Sequence, residues 1–212
     1  MSNKSTVSLY HVSLSKRLFD LTLSILGLII LLPPNLIIFL LLKLANGGPV
    51  IFIQERVGKN GKNFRMFKFR TMKEGSHKLQ VKFKKLNEAD GPVFKIRNDP
   101  RLTPIGKILF QTGLDEIPQL WNVLKGEMSI VGPRPLPVDE ENKLKNVHKV
   151  RRLVKPGITS SWVVSGAHSM SFSEWMELDK KYINSGTISD DIKILYKTII
   201  ILAKGIIQKF LL

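Results

Sequence analysis

The sequence predicts an α+β fold, mostly helical, with an N-terminal re-entrant helix-break-helix, a small β-hairpin and surface-associated amphipathic helices around a compact cytosolic domain. Three observations predict it. A 22-residue uncharged apolar run, Leu21 to Leu42, is interrupted by Pro33 and Pro34. Two β-rich runs flank a Gly/Asn turn at 58–61. The C-terminal segment from Ile192 to Leu212 is rich in Ile and Leu, with Lys193, Lys197, Lys204 and Lys209 spread along it.

Composition sets the outer limits. The chain has 212 residues, enough to bury a core, and carries 33 Lys and Arg against 17 Asp and Glu, a net charge of +16. That surplus calls for an anionic partner: nucleic acid, an acidic membrane surface or a phosphorylated substrate. The absence of cysteine excludes disulfide scaffolds, Cys-ligated metal sites and thiol nucleophiles.

The apolar run could extend roughly 33 Å as a helix, about one bilayer core. It runs on into Lys43, Leu44, Ala45 and Asn46 without a small-residue cleavage site, so it reads as retained rather than as a removed signal. Two consecutive prolines at its centre remove backbone donors and divide it into apolar halves of about 12 and 9 residues. Lys4, Lys16 and Arg17 precede it, and Lys43, Arg56, Lys59 and Lys62 follow. Positive charge on both flanks favours both ends in the cytoplasm, which a re-entrant hairpin satisfies; the alternative is an ordinary kinked anchor. Gly47-Gly48-Pro49 then marks a boundary between 1–46, the tail and membrane helix, and 47–212, the cytosolic membrane-associated domain.

Val50 to Val57 and Lys62 to Thr71 read as the hairpin strands. In the second, the two-residue period puts Phe67 and Phe69 on one face and Lys68 and Arg70 on the other, where two cations could meet a phosphate or simply form a solvated basic face. Lys73 to Asp90 is lysine-rich without clean periodicity, and is expected to be a partly helical, mobile surface segment near the membrane.

The centre of the chain carries the chemistry. Pro118 is tolerable only in a first helical turn, so a helix should begin near Asp115 and end at Gly126. Asp115 and Glu116 would then sit at a helix N-terminus, where the macrodipole favours ionised carboxylates suited to nucleophilic attack or to Mg²⁺. Plain N-capping is the structural alternative. Farther on, Gly132-Pro133-Arg134-Pro135 holds one arginine in a stiff loop, presenting its guanidinium to a phosphate at small entropic cost; a proline-rich turn with a surface arginine is the alternative, and a cis bond at either proline is left open. Phe172, Trp175, Leu178 and Tyr182 recur at helical steps and read as a core stripe.

Together these segments resemble the bacterial monotopic phosphoglycosyl transferases, the polyprenyl-phosphate sugar-1-phosphate transferases, in a minimal catalytic-domain form. The resemblance covers nearly the whole chain through Lys16–Asp20, Gln54–Gly58, Phe67–Met72, Gly91–Lys95, Asp99–Thr103, Leu114–Gln119, Gly132–Pro135 and Lys155–Thr159 in order. It implies that Asp115 attacks the β-phosphorus of a UDP-sugar, UMP leaves, and polyprenyl (undecaprenyl) phosphate then takes the phosphosugar from Asp115. This is the first membrane step of exopolysaccharide, capsule or glycoconjugate assembly. By the same resemblance, Asp115 and Glu116 are the catalytic pair and the Mg²⁺ ligands. Lys68, Arg70, Arg101, Pro133, Arg134 and Pro135 form the substrate- and phosphate-binding set. The implied partners are the UDP-sugar, the polyprenyl phosphate and the anionic lipids of the bacterial cytoplasmic membrane, with the catalytic domain on its cytoplasmic face. Nucleic acid is not expected, and a homo-oligomer is left open.

The chain departs from that family's pattern at Phe110, where an arginine is common five residues before the nucleophile, and at Ser160, Val163 and Ala167, where Gly, Gln and Arg are usual. These changes bear on the donor sugar and on activity. They motivate the alternative of a weakened relative acting as a membrane scaffold or regulator of glycan assembly. The sequence does not name the sugar, although 91–101 and 151–162 look more like the hexose-1-phosphate members. No Gly-x-Gly-x-x-Gly, Walker A or Asp-x-Asp motif is present, and His11, His77, His148 and His168 are too scattered for a compact metal set.

Overall fold

The structure, a computed structural model, describes residues 7–166 and 170–210. Ser13 caps the first helix, α1 (Leu14–Ile30), by accepting the Lys16 N–H at 3.2 Å. Helix α2 (Leu32–Asn46) follows at a 60° bend and stops at Gly47 in the left-handed region, φ 63°. The break lies at Leu31, not at the prolines themselves: Pro33 and Pro34 occupy the first turn of α2, where a missing N–H costs no intrahelical bond. The two halves accordingly have 17 and 15 residues, longer than the sequence pattern gave. Among the described residues no single helix is long and apolar enough to cross a membrane, whereas α1 and α2 together meet that test by length and composition.

Strands β1 (Ile51–Val57) and β2 (Asn63–Phe69) pair antiparallel, from Ile51 opposite Phe69 to Val57 opposite Asn63. The hairpin is as expected, with slightly shorter strands. Its burial does not split cleanly by face, however. Phe64 and Met66, on the same side as Lys68, are buried, as is Phe69 on the other side, while Phe67 is only half-buried. The reason is that the segment around Asn122 crosses the strand: Asn122 accepts the Phe67 N–H at 3.1 Å and donates to the Arg65 carbonyl at 2.6 Å. The lysine-rich stretch after β2 contains a 3-10 helix, Ser76–Leu86.

Helix α3 (Pro104–Thr112) is capped by Thr103 and ends at Gly113, φ 70°. Then come a single 3-10 turn, Leu114–Glu116, and the short α4 (Gln119–Leu124). The continuous helix expected from Asp115 is therefore two pieces. Pro118 has no N–H to give the Leu114 carbonyl, so Ile117 N–H bonds there instead and the turn tightens. Strand β3 (Ser129–Val131), α5 (Val138–Asn142) and β4 (Gly157–Thr159) follow, β3 and β4 forming a parallel pair that the sequence pattern did not reveal. A short α6 (Ser161–Val164), α7 (Phe172–Ser185) with a Ser171/Glu174 capping box, and the long α8 (Ile188–Phe210) complete the chain.

The main core joins Ile38 and Leu42 of α2, Phe64, Met66 and Phe69 of β2, Leu109 of α3, Val123 of α4, Ile130 and Val131 of β3, Tyr182 of α7 and Ile194 of α8. It runs across the 47–49 boundary. Helix α1 packs on α4 at Gly27, where an added Cβ would lie 3.1 Å from Leu120. A second core stacks Trp162 on Trp175, ring centres 4.4 Å apart, with Leu136, Leu144 and Met176. In the stripe of α7, Trp175 and Tyr182 are buried and Phe172 and Leu178 half-buried. Helix α8 packs on the core at Ile194, which is buried, and leaves Ile192, Tyr196, Ile199 and Ile207 exposed.

Candidate active site

Three elements converge on one cluster. Strand β2 delivers Lys68, the 3-10 turn before α4 delivers Asp115 and Glu116, and the loop after β3 delivers Arg134. Lys68 Nζ lies 2.6 Å from Glu116 Oε1 and 3.6 Å from Asp115 Oδ2, and Arg134 Nη1 lies 3.5 Å from the same Glu116 oxygen. The Asp115 side chain is 5% exposed, whereas Arg134 is 32% exposed and forms the open side of the cluster.

The electrostatics separate the two acids. Burial pushes the Asp115 carboxyl up, Lys68 draws it back down, and the neighbouring Glu116 charge raises it. Glu116 is also penalised by burial, but Lys68 and Arg134 outweigh that and hold its carboxyl well below the usual range. The sequence pattern credited a helix dipole with keeping Asp115 ionised. The structure differs: the acids precede a short α4 by one 3-10 turn, and burial dominates at Asp115.

The loop carrying Arg134 is fixed by backbone contact. Gly132 N–H donates to the Thr159 carbonyl at 3.0 Å and Gly157 N–H to the Pro133 carbonyl at 2.9 Å. A Cβ on Gly132 would lie 2.5 Å from the Lys155 carbonyl oxygen, so only glycine fits. Pro133 and Pro135 are both trans and act here through their carbonyls, the second accepting Arg56 Nη1–H at 3.0 Å. Behind the loop, Arg151 donates to the Arg134 carbonyl at 2.5 Å while pairing with Asp179 at 3.1 Å. Trp162 lies beneath two cations, Lys95 Nζ 4.7 Å and the Arg134 guanidinium 5.9 Å from its ring centre. Burial and then Arg134 bring the Lys95 ammonium down to about 8.

Of the sequence-predicted set, the structure brings together Asp115, Glu116, Lys68 and Arg134, with Pro133 and Pro135 shaping the loop. Arg70 is placed otherwise: its Nη1 lies 3.9 Å from the exposed Glu74. Arg101 is buried and grips Asp99 through Nε and Nη2, with Phe94 over its guanidinium, so its donors support the fold around 99–103. Arg56, Lys95, Asn122, Arg151 and Trp162 were not singled out from the sequence. All five stand inside segments that were, but nothing in a linear pattern shows which residues of a segment face the cluster. Of the departures, Phe110 is 38% exposed beside the buried Leu109. Ser160 caps α6 by accepting the Val163 N–H at 3.3 Å. Val163 packs against the second core. Ala167 and His168 lie outside the described residues.

Among the described residues no group of three or more His, Asp or Glu is placed to hold a metal. A two-carboxylate set still suits Mg²⁺, which binds through one or two carboxylates, substrate phosphates and water.

The sequence model of the bacterial sugar transferases matches residues 11–205. The chain belongs to the bacterial sugar transferase family. This sugar transferase is 42% identical over 198 residues to the galactosyl transferase CpsE of Streptococcus agalactiae, covering 92% of the chain and 44% of that protein. It is 37% identical to the exopolysaccharide production protein ExoY of Sinorhizobium fredii, covering 88% of the chain and 84% of the relative. It is 41% identical to the undecaprenyl-phosphate galactose phosphotransferase of Salmonella typhimurium, over 86% of the chain and 39% of the relative. The chain thus spans under half of two of these relatives and most of the third.

Proposed function

We propose that this sugar transferase moves a sugar-1-phosphate from a UDP-sugar to polyprenyl phosphate at a bacterial cytoplasmic membrane, releasing UMP through a covalent Asp115 intermediate. The observation that carries this reading is the junction of a buried Asp115 with Glu116, Lys68 and Arg134 in one cluster. Relatives named undecaprenyl-phosphate galactose phosphotransferase and UDP-glucose:undecaprenyl-phosphate glucose-1-phosphate transferase support the acceptor and donor classes.

In the first step an Asp115 carboxylate oxygen bonds to the β-phosphorus of the donor. The bond from that phosphorus to the bridging oxygen breaks, and UMP leaves with its electron pair. In the second step an oxygen of the lipid phosphate bonds to the same phosphorus and the Asp115–phosphorus bond breaks. Lys68 and Arg134 stand where charge on the transferring phosphoryl oxygens develops, a role for fixed cations in phosphoryl transfer. Their attraction to Glu116 in the free protein keeps them ordered before substrate arrives. A Mg²⁺ held by Asp115 and Glu116 would neutralise donor phosphate charge. The bent α1–α2 pair supports a re-entrant membrane segment that returns the chain to the face from which it entered, beside the acceptor phosphate.

The test is nucleotide release from detergent- or nanodisc-held protein given Mg²⁺, polyprenyl phosphate and a panel of UDP-sugars. UMP with one donor, dependent on lipid and Mg²⁺, is expected, and Asp115→Asn should release none. UDP as product would make this an ordinary glycosyl transferase. No nucleotide from any donor would favour the scaffold role.

A further inference from the structure

A cavity of about 240 Å³ lies at the N-terminal end of α1, with His11, Lys16, Arg17, Asp20, Lys59 and Lys155 among its walls. Its charges do not balance. Lys16 is buried and committed, 3.2 Å from Asp20 and 2.5 Å from Asp191. The Asp20 carboxylate is also committed, accepting from Ser129 Oγ–H at 2.9 Å and the Ile130 N–H at 3.1 Å. Arg17, Lys59 and Lys155 remain, and none of the three forms a salt bridge among the described residues.

Two of these cations are held close together. Arg17 donates to the Val123 and Leu124 carbonyls at 2.7 and 2.8 Å, which fixes its guanidinium at the C-terminal end of α4 and leaves three N–H donors unused. A Cβ added at Gly126 would lie 3.6 Å from Lys155 Nζ and 3.7 Å from Arg17 Nη2, so the two cations flank one glycine within about 7 Å of each other. Burial, then Arg17, depress the Lys155 ammonium below its ordinary pKa, and the Asp20 carboxylate offsets them only in part. A dianion between them would relieve the repulsion and meet several charge-assisted donors at once.

We propose that this cavity binds a phosphate group through Lys155, Arg17 and Lys59, as a site separate from the Asp115 cluster at the other end of α4. The site does not depend on the proposed reaction. A phosphate fills only part of the volume, leaving room for a small polar group attached to it. Val12, in its wall, is 61% exposed, so the cavity borders apolar surface just before α1. The phosphate could therefore belong to an anionic lipid headgroup or be free in solution, and the two are separable by experiment.

Full-length protein in detergent would be titrated with inorganic phosphate at constant ionic strength, reading Tm, in an Arg134→Gln background that weakens anion binding at the Asp115 cluster. In parallel, binding to phosphatidylcholine vesicles with and without phosphatidylglycerol would be measured. Phosphate should still raise the Tm of Arg134→Gln. Adding Lys155→Gln and Lys59→Gln should weaken its apparent affinity roughly tenfold or more, and Lys155→Arg should retain it. If the source is a lipid headgroup, the same pair of substitutions also removes the preference for phosphatidylglycerol. If the phosphate is free, that preference survives while the Tm effect is lost. Either result supports the site. A Tm effect that is absent, that disappears with Arg134→Gln alone or that persists in the Lys155→Gln, Lys59→Gln protein overturns it. Should the double variant not fold, Lys59→Gln alone, in the hairpin turn, carries the same comparison.

Discussion

Lys68 serves two acids at once, bonding Glu116 directly while standing 3.6 Å from Asp115. Replacing it by glutamine removes the cation nearest both acids, and with it the fixed charge that faces the transferring phosphoryl group. UMP release by Lys68→Gln should fall about 10²–10³-fold, the loss typical of one fixed stabilising group; near-normal turnover would remove Lys68 from the site. At this scale the sequence was most legible where residue type and rigidity coincide, as at Asp115, Glu116 and Arg134. It was least legible for cations whose partners are local. Arg101 looks like a phosphate ligand in a linear motif, yet Asp99, two residues earlier, occupies its fork. The backbone geometry that joins those two is not written in the motif itself.

Helices and loops were legible to the extent that proline and glycine punctuate them. Pro33 and Pro34 signalled the bend of α1–α2 but not its position, because proline is accommodated in the turn it opens rather than at the kink before it. Leucine at both positions restores the missing donors and should fuse α1 and α2 into one helix. A single cysteine at Ser8, in a chain that has none, should then become reactive to an impermeant thiol reagent from outside the cell. Continued protection would show that the bend does not need the prolines. The β3–β4 pair escaped sequence reading because its strands have three residues each, too short for a period. Its importance lies in what it holds. Gly132→Ala would press a methyl group against the Lys155 carbonyl and push the Arg134 loop away, costing about 1–3 kcal/mol in denaturant titration and lowering UMP release in the protein that remains folded.

Across the whole molecule, the apolar surface is concentrated on α1, α2 and α8, where Ile29, Ile30, Leu36, Ile37, Tyr196 and Ile199 are exposed. The net charge of +16 and the uncharged run led to the expectation of an anionic partner and a membrane segment, but no linear pattern could show that helix ends distant in sequence share one core. Global stability also carries a pH signature. Burial lifts the Asp179 carboxyl to about 6 despite the neighbouring Arg151, so the folded state holds that proton more tightly than the unfolded chain does. The contribution is fully present below the ordinary carboxylate pKa and is lost as pH rises through about 6. The stability of the parent relative to Asp179→Asn should therefore fall between about pH 4 and pH 7 in denaturant titrations; a flat difference would mean that Arg151 fully compensates the charge. Finally, Arg17 clasps the last carbonyls of α4 while Asp20, one turn along α1, binds the first residues of β3. Helix α1 is thereby fixed to the cytosolic elements at two points one turn apart, so a change in its tilt would move α4 and β3 together and take the Asp115 turn along; under the proposed membrane role, bilayer thickness would reach that turn through the same two clasps.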